Sequence, residues 1–290
     1  MQSIKDIRRR IKSISNIQQL TRAMKMVSVA RLRRAQQRIL RARPYARKMT
    51  EVLNSLASRT EPALHRLLAE REEKRIGLMV VTSDKGLCGS FNSNILRKAT
   101  EFLEEERGKE TLLYLIGRKG RDYFRRRGYP IKEELVDIFR DISFGYATTL
   151  GREITESYSR EELDSVYLLY NEFKSALRQG VVVEKLLPIQ RLKIEGPVAP
   201  IDYIYEPSAR VIFDQLLPLH INIQIYKVLL ESATSEHAAR MTAMDNATSN
   251  AMEMIDHLTL LRNKLRQAAI TKELIEVVTA ADALTAETEI

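Results

Sequence analysis

Ten residues in the first third of the chain have the composition of an anion-binding turn. The segment Ser83–Asn92 reads SDKGLCGSFN and lies between a short apolar run and a helix-favouring run. Glycines placed between a strand and a helix can direct backbone N–H groups at a phosphate. The segment nevertheless matches neither the GxxxxGK[ST] nor the GxGxxG template. We therefore favour a tight βα turn with Asn92 or Ser93 as the helix N-cap, and keep a phosphate loop as the alternative.

The other reactive side chains form no catalytic or metal-binding pattern. Cys88 is the single cysteine, so no intrachain disulfide can form, and no histidine lies in the middle of the chain to act as its base. The four histidines, which lack metal-ligand spacing, are His65, His220, His237 and His257. Adjacent acids such as Glu104–Glu106 lie in charge runs typical of solvated helix faces. We expect no catalytic residue, no cofactor and no metal.

Positive charge is concentrated at the start of the chain. Residues 1–58 hold 15 Lys or Arg against Asp6 and Glu51, a net charge of +13, whereas the whole chain carries +9. A helix this basic can bind nucleic-acid phosphates or an acidic protein surface. Its apolar positions run through the basic clusters, which favours the protein surface. A nucleic-acid-binding adaptor, a solvated face and a mitochondrial transit peptide are the alternatives.

The positions of the glycines divide the chain into three parts. All eleven glycines lie between Gly77 and Gly196. Glycine marks turns and is disfavoured within helices, so two glycine-free arms flank a middle that contains turns. We predict a coiled-coil helix over 1–60, an α/β domain over 75–205 and a second coiled-coil helix over 207–290.

The first arm carries a heptad pattern. Apolar residues alternate spacings of three and four over Ile4–Ile14 and again over Leu32–Leu56. Between these segments we predict an extra three-residue step, after which the pattern resumes at Ile17, Leu20, Met24 and Val27. Pro44 should bend the helix without ending it, because the pattern keeps its phase across that position.

The second arm is predicted to begin at Glu206-Pro207-Ser208 and to end near Ala286, with Pro218 as its one interruption. Its seam consists of Met244, Ala251, Ile255, Leu258, Leu265 and Ala269. Neither arm can bury its seam against so small a central domain, so we expect a long antiparallel two-helix coiled coil. The apolar segment Ala268–Leu284 extends past the first arm and should insert into another protein, since a single apolar helix is unstable in water.

The middle of the chain alternates strands with helices. The predicted strands are Ile76–Thr82, Thr111–Ile116, Ser165–Tyr170 and Val181–Leu187. The predicted helices are Ser93–Glu106, Arg118–Arg127 and Ala147–Ser159. This alternation predicts a parallel, Rossmann-like α/β domain.

Four segments in this order resemble the gamma subunits of F-type ATP synthases. They are Ile17–Val27 (IQQLTRAMKMV), Ser83–Gly89 (SDKGLCG), Ser235–Met241 (SEHAARM) and Asn263–Glu273 (NKLRQAAITKE). Because they come from both arms and the middle, the resemblance covers essentially the whole chain.

The resemblance implies a central rotary shaft that is not itself catalytic. Such a shaft turns inside a ring of three alpha and three beta subunits, beside the epsilon subunit and the membrane c-ring, and couples proton flow to ATP synthesis. It implies contacts with the beta subunits at Met24, Lys25, Arg240, Gln267, Thr271 and Glu273. It also implies contacts with the c-ring at Tyr203, Tyr205 and Glu206, and a peripheral position on the cytoplasmic face of a bacterial membrane.

Two departures and two further rivals qualify the resemblance. Plastid members carry a cysteine pair for redox control, which this chain lacks, and Lys85 replaces a frequent Arg. A stand-alone nucleotide-binding α/β enzyme would bind ATP without partners. The central stalk of an archaeal-type rotary ATPase would lack the inserted α/β domain, which the glycine pattern predicts.

Overall fold

The computed structural model describes residues 3–57, 65–175, 178–189 and 209–288. The chain forms two compact units. One, the helical unit, comprises Met1–Val27 and Ala243–Ile290; the other, the sheet unit, comprises Ser28–Thr242. Two long helices, α1 (Ile4–Ala57) and α5 (Ala209–Thr288), each contribute residues to both units.

A five-stranded sheet forms the centre of the sheet unit. Its strands are β1 (Arg75–Val81), β2 (Glu110–Ile116), β3 (Ile131–Leu135), β4 (Ser165–Phe173) and β5 (Gln179–Leu187), in the order β3-β2-β1-β4-β5. The first four are parallel, with β1 between β2 and β4. This strand order confirms the prediction of a Rossmann-like sheet.

Helices cover both faces of this sheet because its central strands are apolar on both sides. Leu78 and Val80 of β1 pack with α2 (Phe91–Glu105) and α3 (Arg118–Arg125). Met79 and Val81 pack with α4 (Phe144–Ser159) and with apolar residues of α1 and α5. Near-continuous apolar strands are typical of parallel sheets buried on both faces.

The prediction of an all-parallel sheet was wrong at one edge. Strand β5 is antiparallel to β4, with Leu169 opposite Val183, because only residues 174–178 connect the two strands. A parallel crossover needs a dozen or more residues. Strand β3, at the opposite edge of the sheet, was not predicted, because its sequence IKEEL is too charged to resemble a buried strand.

The helical unit contains an antiparallel helix pair. The Thr21 and Thr248 hydroxyls hydrogen-bond across it at 2.8 Å, and Lys25 Nζ lies 2.6 Å from Asp245 Oδ1. Further along, Arg10 and Ile14 of α1 share a groove with residues 250–258 of α5. Residue numbers fall on one helix as they rise on the other, which confirms the predicted antiparallel coiled coil.

The predicted three-residue step in α1 was wrong. After Ile14, the positions turned inward are Gln18, Thr21 and Lys25, whereas Ile17 and Leu20 are 50% and 60% exposed. The heptad therefore continues without interruption, with polar residues at seam positions. The seam of α5 was predicted correctly: its six positions are buried or half-buried, beginning with Met244 and Ala251 at 5% exposure.

Both prolines inside the long helices are tolerated. Helix α1 continues through Pro44 and α5 through Pro218, so neither residue ends its helix. At the start of α1, Ser3 Oγ accepts a hydrogen bond from the Lys5 backbone N–H, as expected for an N-cap. The predicted helix start at Glu206–Ser208 lies outside the described residues.

Candidate functional site

The turn after β1 is built from side chains that bind its own backbone. Asn92 Oδ1 accepts a hydrogen bond from the Ser83 backbone N–H at 3.0 Å, and Asn92 Nδ2 donates to Ser83 Oγ at 2.8 Å. Ser83 Oγ also donates to the Lys85 carbonyl. Leu87 and Gly89 both adopt positive φ, at 62° and 58°. These bonds make Asn92 a brace for the turn. The N-cap position of α2 is Ser90, two or three residues before the predicted Asn92 or Ser93.

Arg240 of α5 fixes the same turn from its other side. Its guanidinium donates to the carbonyls of Lys85 and Gly86 at 3.2–3.4 Å and forms a 2.7 Å ion pair with Glu236. Both side chains are at least nine-tenths buried. Burial raises the pKa of Glu236, and Arg240 opposes that rise.

Cys88 is a buried structural thiol in this turn. It is 2% exposed, its Sγ contacts Asn92 Nδ2 at 3.3 Å, and burial raises its pKa. A raised pKa reduces the thiolate fraction, so the group is a poor nucleophile. The described residues contain no group of three or more His, Cys, Asp and Glu side chains arranged to hold a metal ion.

A second cluster of charged residues joins neighbouring strands and is structural. Glu73 accepts hydrogen bonds from Lys185 at 2.6 Å, Tyr167 at 3.0 Å and Lys109 at 3.3 Å. Burial opposes ionisation, but the bonds from Lys185 and Tyr167 hold the pKa of Glu73 below its usual value. All donors stabilise the ionised carboxylate, and the group is not poised to transfer a proton near neutral pH.

The residues predicted to contact beta subunits occupy three separate places. In the helical unit, Met24 and Lys25 lie half-buried on α1. Gln267, Thr271 and Glu273 are exposed on α5. Because Thr21 lies beside Thr248, about 20 residues of helix, roughly 30 Å, separate these two groups along the pair.

Arg240, the remaining predicted beta contact, lies in the sheet unit and is 7% exposed. Tyr203, Tyr205 and Glu206, predicted to contact the c-ring, lie outside the described residues.

The helical unit also carries an exposed apolar surface that the heptad analysis only partly identified. On α1, Ile17, Leu20, Met26 and Val27 are 50–63% exposed. On α5, every described side chain from Ile270 to Thr279 is exposed, including the apolar residues Leu274, Ile275, Val277 and Val278 at 56–66%. The correct phase of the α1 seam, with Gln18 and Thr21 inward, would have placed Ile17 and Leu20 outside.

None of the described helices is both long enough and apolar enough to cross a membrane. The two helices of this pair are connected in the chain by an α/β sheet with helices on both faces, and the pair exposes apolar residues outside its own seam. These features define a class of protein that contacts other subunits. Its described residues provide surfaces for such contacts.

The ATP synthase family model matches residues 3–284. The chain is 49% identical to the ATP synthase gamma chain of Pelotomaculum thermopropionicum over 284 residues, which cover 98% of this chain and 100% of that one. It is 46% identical to the gamma chain of a Geobacter species, with 98% and 99% covered. The chain belongs to the ATP synthase gamma chain family.

Solved structures show the same fold. A chain of the central stalk and c-ring structure of the Tetrahymena thermophila mitochondrial ATP synthase matches with a TM-score of 0.61 and 27% identity, covering 79% of this chain and 99% of that one. A chain of the Euglena gracilis mitochondrial ATP synthase matches with a TM-score of 0.71 over 99% of this chain and 96% of that one. Its 18% identity supports the fold alone.

Proposed function

We propose that this chain is the central rotary shaft of a proton-translocating F-type ATP synthase and is not catalytic by itself. Its partners are the ring of three alpha and three beta subunits, the epsilon subunit and the membrane c-ring. The shaft couples ion flow to ATP synthesis because its faces contact successive beta subunits differently, and a contact made in only one conformation shifts that subunit's nucleotide affinity.

The exposed apolar stretch of α5 carries this proposal. The last half-buried seam position is Ala269, and the next ten described side chains are all exposed. Leu274, Ile275, Val277 and Val278 together would make an isolated helix poorly soluble and unstable. A surrounding ring of subunits would cover these side chains and hold the helix in place.

The contact residues follow from the same proposal. Met24, Lys25, Gln267, Thr271 and Glu273 are accessible on the helical unit and can transmit torque to the beta subunits. Arg240 would act on them from the sheet unit, close to the turn that it braces. Tyr203, Tyr205 and Glu206 would contact the c-ring, and the protein would lie peripherally on the cytoplasmic face of a bacterial membrane.

Reconstitution tests the shaft proposal. The purified chain is mixed with separately prepared alpha and beta subunits and ATP, and assembly is followed by size-exclusion chromatography together with ATP hydrolysis. We expect one complex containing all three chains, with hydrolysis far above that of any chain alone. A monomer that ignores the other subunits, or that hydrolyses ATP unaided, would contradict the proposal.

A matched pair of variants tests the apolar stretch. Ile275→Lys places a charge on the exposed apolar surface of α5, whereas Thr148→Lys adds the same charge at an exposed position of α4. Burying an unpaired charge costs several kcal/mol, so only Ile275→Lys should weaken assembly. Equal assembly of both variants would show that the alpha–beta ring does not cover this stretch.

A further inference from the structure

One apolar residue of the turn after β1 is held in a strained backbone conformation. Leu87 adopts a φ of 62°, and its side chain is 63% exposed. Left-handed φ values are disfavoured for residues with a Cβ and are rare for bulky side chains. Glycine adopts them without this cost, and Gly86 directly precedes the strained position without occupying it. The backbone conformation alone would favour glycine at position 87.

The backbone is fixed on both sides of Leu87. The carbonyl of Gly86, directly before it, accepts a hydrogen bond from the Arg240 guanidinium at 3.2 Å. Directly after it, Cys88 is buried, and its carbonyl accepts a hydrogen bond from the Phe91 N–H at 3.2 Å. Strained residues persist where their surroundings determine the backbone in this way, and they cluster at functional sites.

Two other described residues that are not glycine adopt positive φ, and both have a local explanation. Asp137, with a φ of 60°, belongs to one of the few residue types that tolerate this region. Glu161, also with a φ of 60°, lies two residues after the end of α4, and helices commonly end with a left-handed residue there. Leu87 has neither explanation, because it is aliphatic and precedes a helix. An exposed leucine is ordinary on a protein surface, but a strained one is not.

The strained turn presents Leu87 beside a cation. Lys85, two residues earlier, is exposed and forms no ion pair within the described ranges. An apolar side chain on a fixed backbone loses little conformational entropy on binding. Together with the lysine it fits a protein surface that combines an apolar depression with acidic side chains. Arg240, which braces the turn, is proposed above to act on the beta subunits, so a beta subunit is the partner that fits.

We propose that Leu87 is a contact residue for the beta subunits and that its backbone strain is retained because the contact needs this conformation. The free chain is less stable than it would be with glycine at position 87, but the leucine is held in a fixed position. A contact that only one conformation of a beta subunit makes shifts that subunit's nucleotide affinity. The inference rests on the proposed shaft function and adds a residue that the family resemblance did not imply.

Urea unfolding of the purified full-length chain tests the strain. Leu87→Gly should raise the ratio of folded to unfolded chain about fivefold, because glycine adopts this φ without strain. Leu87→Ala keeps a Cβ, and with it the strain, and should change the ratio by less than about twofold. Glu161→Gly is the matched control, since it relieves the same kind of strain at another exposed position and should raise the ratio similarly.

ATP hydrolysis by the complex reconstituted with alpha and beta subunits tests the contact. Leu87→Gly and Leu87→Ala should each lower the hydrolysis rate about fivefold, because a contact that couples the chain to the beta subunits is lost. Leu87→Met keeps an apolar side chain of similar volume and should retain most of the activity. Glu161→Gly should match the unmodified chain. A gain in stability with a loss of activity is expected for Leu87→Gly alone, whereas a merely structural residue would lose both.

A photo-crosslinking amino acid at position 87 identifies the partner. Illumination of the complex should join the chain to a beta subunit, and a product with alpha subunits alone would overturn the proposal. Full activity of Leu87→Ala and Leu87→Gly, or a loss of stability in Leu87→Gly, would also overturn it. The unmodified chain reports the shaft function separately. If it assembles and supports hydrolysis while the Leu87 variants behave identically, only this inference fails; if it does not assemble, both proposals fail.

Discussion

Removing Arg240 should destabilise the sheet unit more than any surface substitution. The Arg240–Glu236 pair is buried, with side chains 9% and 6% exposed, and the guanidinium also binds the carbonyls of Lys85 and Gly86. Arg240→Ala would leave the Glu236 carboxylate buried without its cation. Breaking a buried pair in this way costs about 3–5 kcal/mol.

The loss should depend on pH. Burial raises the pKa of Glu236, and Arg240 holds that rise in check, so the variant's Glu236 should have a still higher pKa in the folded state. A carboxyl group with a raised folded pKa is tolerated below its unfolded pKa and loses stability as the pH rises through the folded value. Arg240→Ala should therefore be least destabilised at acidic pH and most destabilised at alkaline pH.

A double-mutant cycle measures the coupling. Urea unfolding, followed by far-ultraviolet circular dichroism and by hydrogen exchange in β1, would be compared for Arg240→Ala, Glu236→Gln and the double variant. We expect the double variant to be at least about 1 kcal/mol more stable than the sum of the single losses predicts. Arg33→Ala, at an exposed position of α1, is the control and should change stability by less than about 0.5 kcal/mol. Additive losses that do not vary with pH would refute this reasoning.

Three other perturbations have distinct expected outcomes. Gly117→Ala should lower the free energy of unfolding by about 2–3 kcal/mol, because φ is +90° and a Cβ would collide with a backbone carbonyl oxygen. Gly128→Ala, at φ +71° in open space, is the control and should lower it by about 1 kcal/mol. Equal losses of the two variants in urea unfolding would contradict the collision. Burial raises the pKa of Tyr114 and Tyr158 to about 12, so the stability present below pH 10 should be lost between about pH 10 and 12. Ultraviolet titration should show both phenols ionising above about pH 10. Ionisation near pH 10 without unfolding would contradict their burial. Lys25→Ala removes a half-exposed ion pair and should cost less than about 1 kcal/mol, diminishing with added salt; a larger, salt-independent loss would show that the pair is not merely superficial.

Much of the fold could be predicted because its elements follow simple periodicities. The central strands are short apolar runs with their ends close to the predicted residues. The apolar positions of the α5 seam recur at heptad spacing, with the polar Thr248 between Met244 and Ala251. Two features escaped prediction for physical reasons. Strand β3 is an edge strand that needs little apolar surface. Strand β5 is antiparallel to β4 because the short connection between them permits only a hairpin.

The candidate contacts could be predicted only in part. The four matching segments identify residues but not their surroundings, and so could not show that Arg240 binds the turn at Lys85 and Gly86 or that Asn92 braces it. The phase of α1 was misread because Gln18 and Thr21 occupy positions usually held by aliphatic residues. The polar residue at the Thr21 seam position is explained only by the partner helix, where Thr248 lies opposite it and forms a hydrogen bond with it.

The threonine pair fixes the axial position of one helix against the other. A slip of one heptad, about 10 Å, would set the Thr21 hydroxyl against Ile255 in one direction, or the Thr248 hydroxyl against Ile14 in the other. Each alternative register sets a hydroxyl against an aliphatic side chain and separates Lys25 from Asp245. The two hydrogen-bonded layers, Thr21–Thr248 and Lys25–Asp245, therefore oppose axial sliding of the helices when torque acts on the pair. The aliphatic positions around them stabilise the pair but do not specify its register.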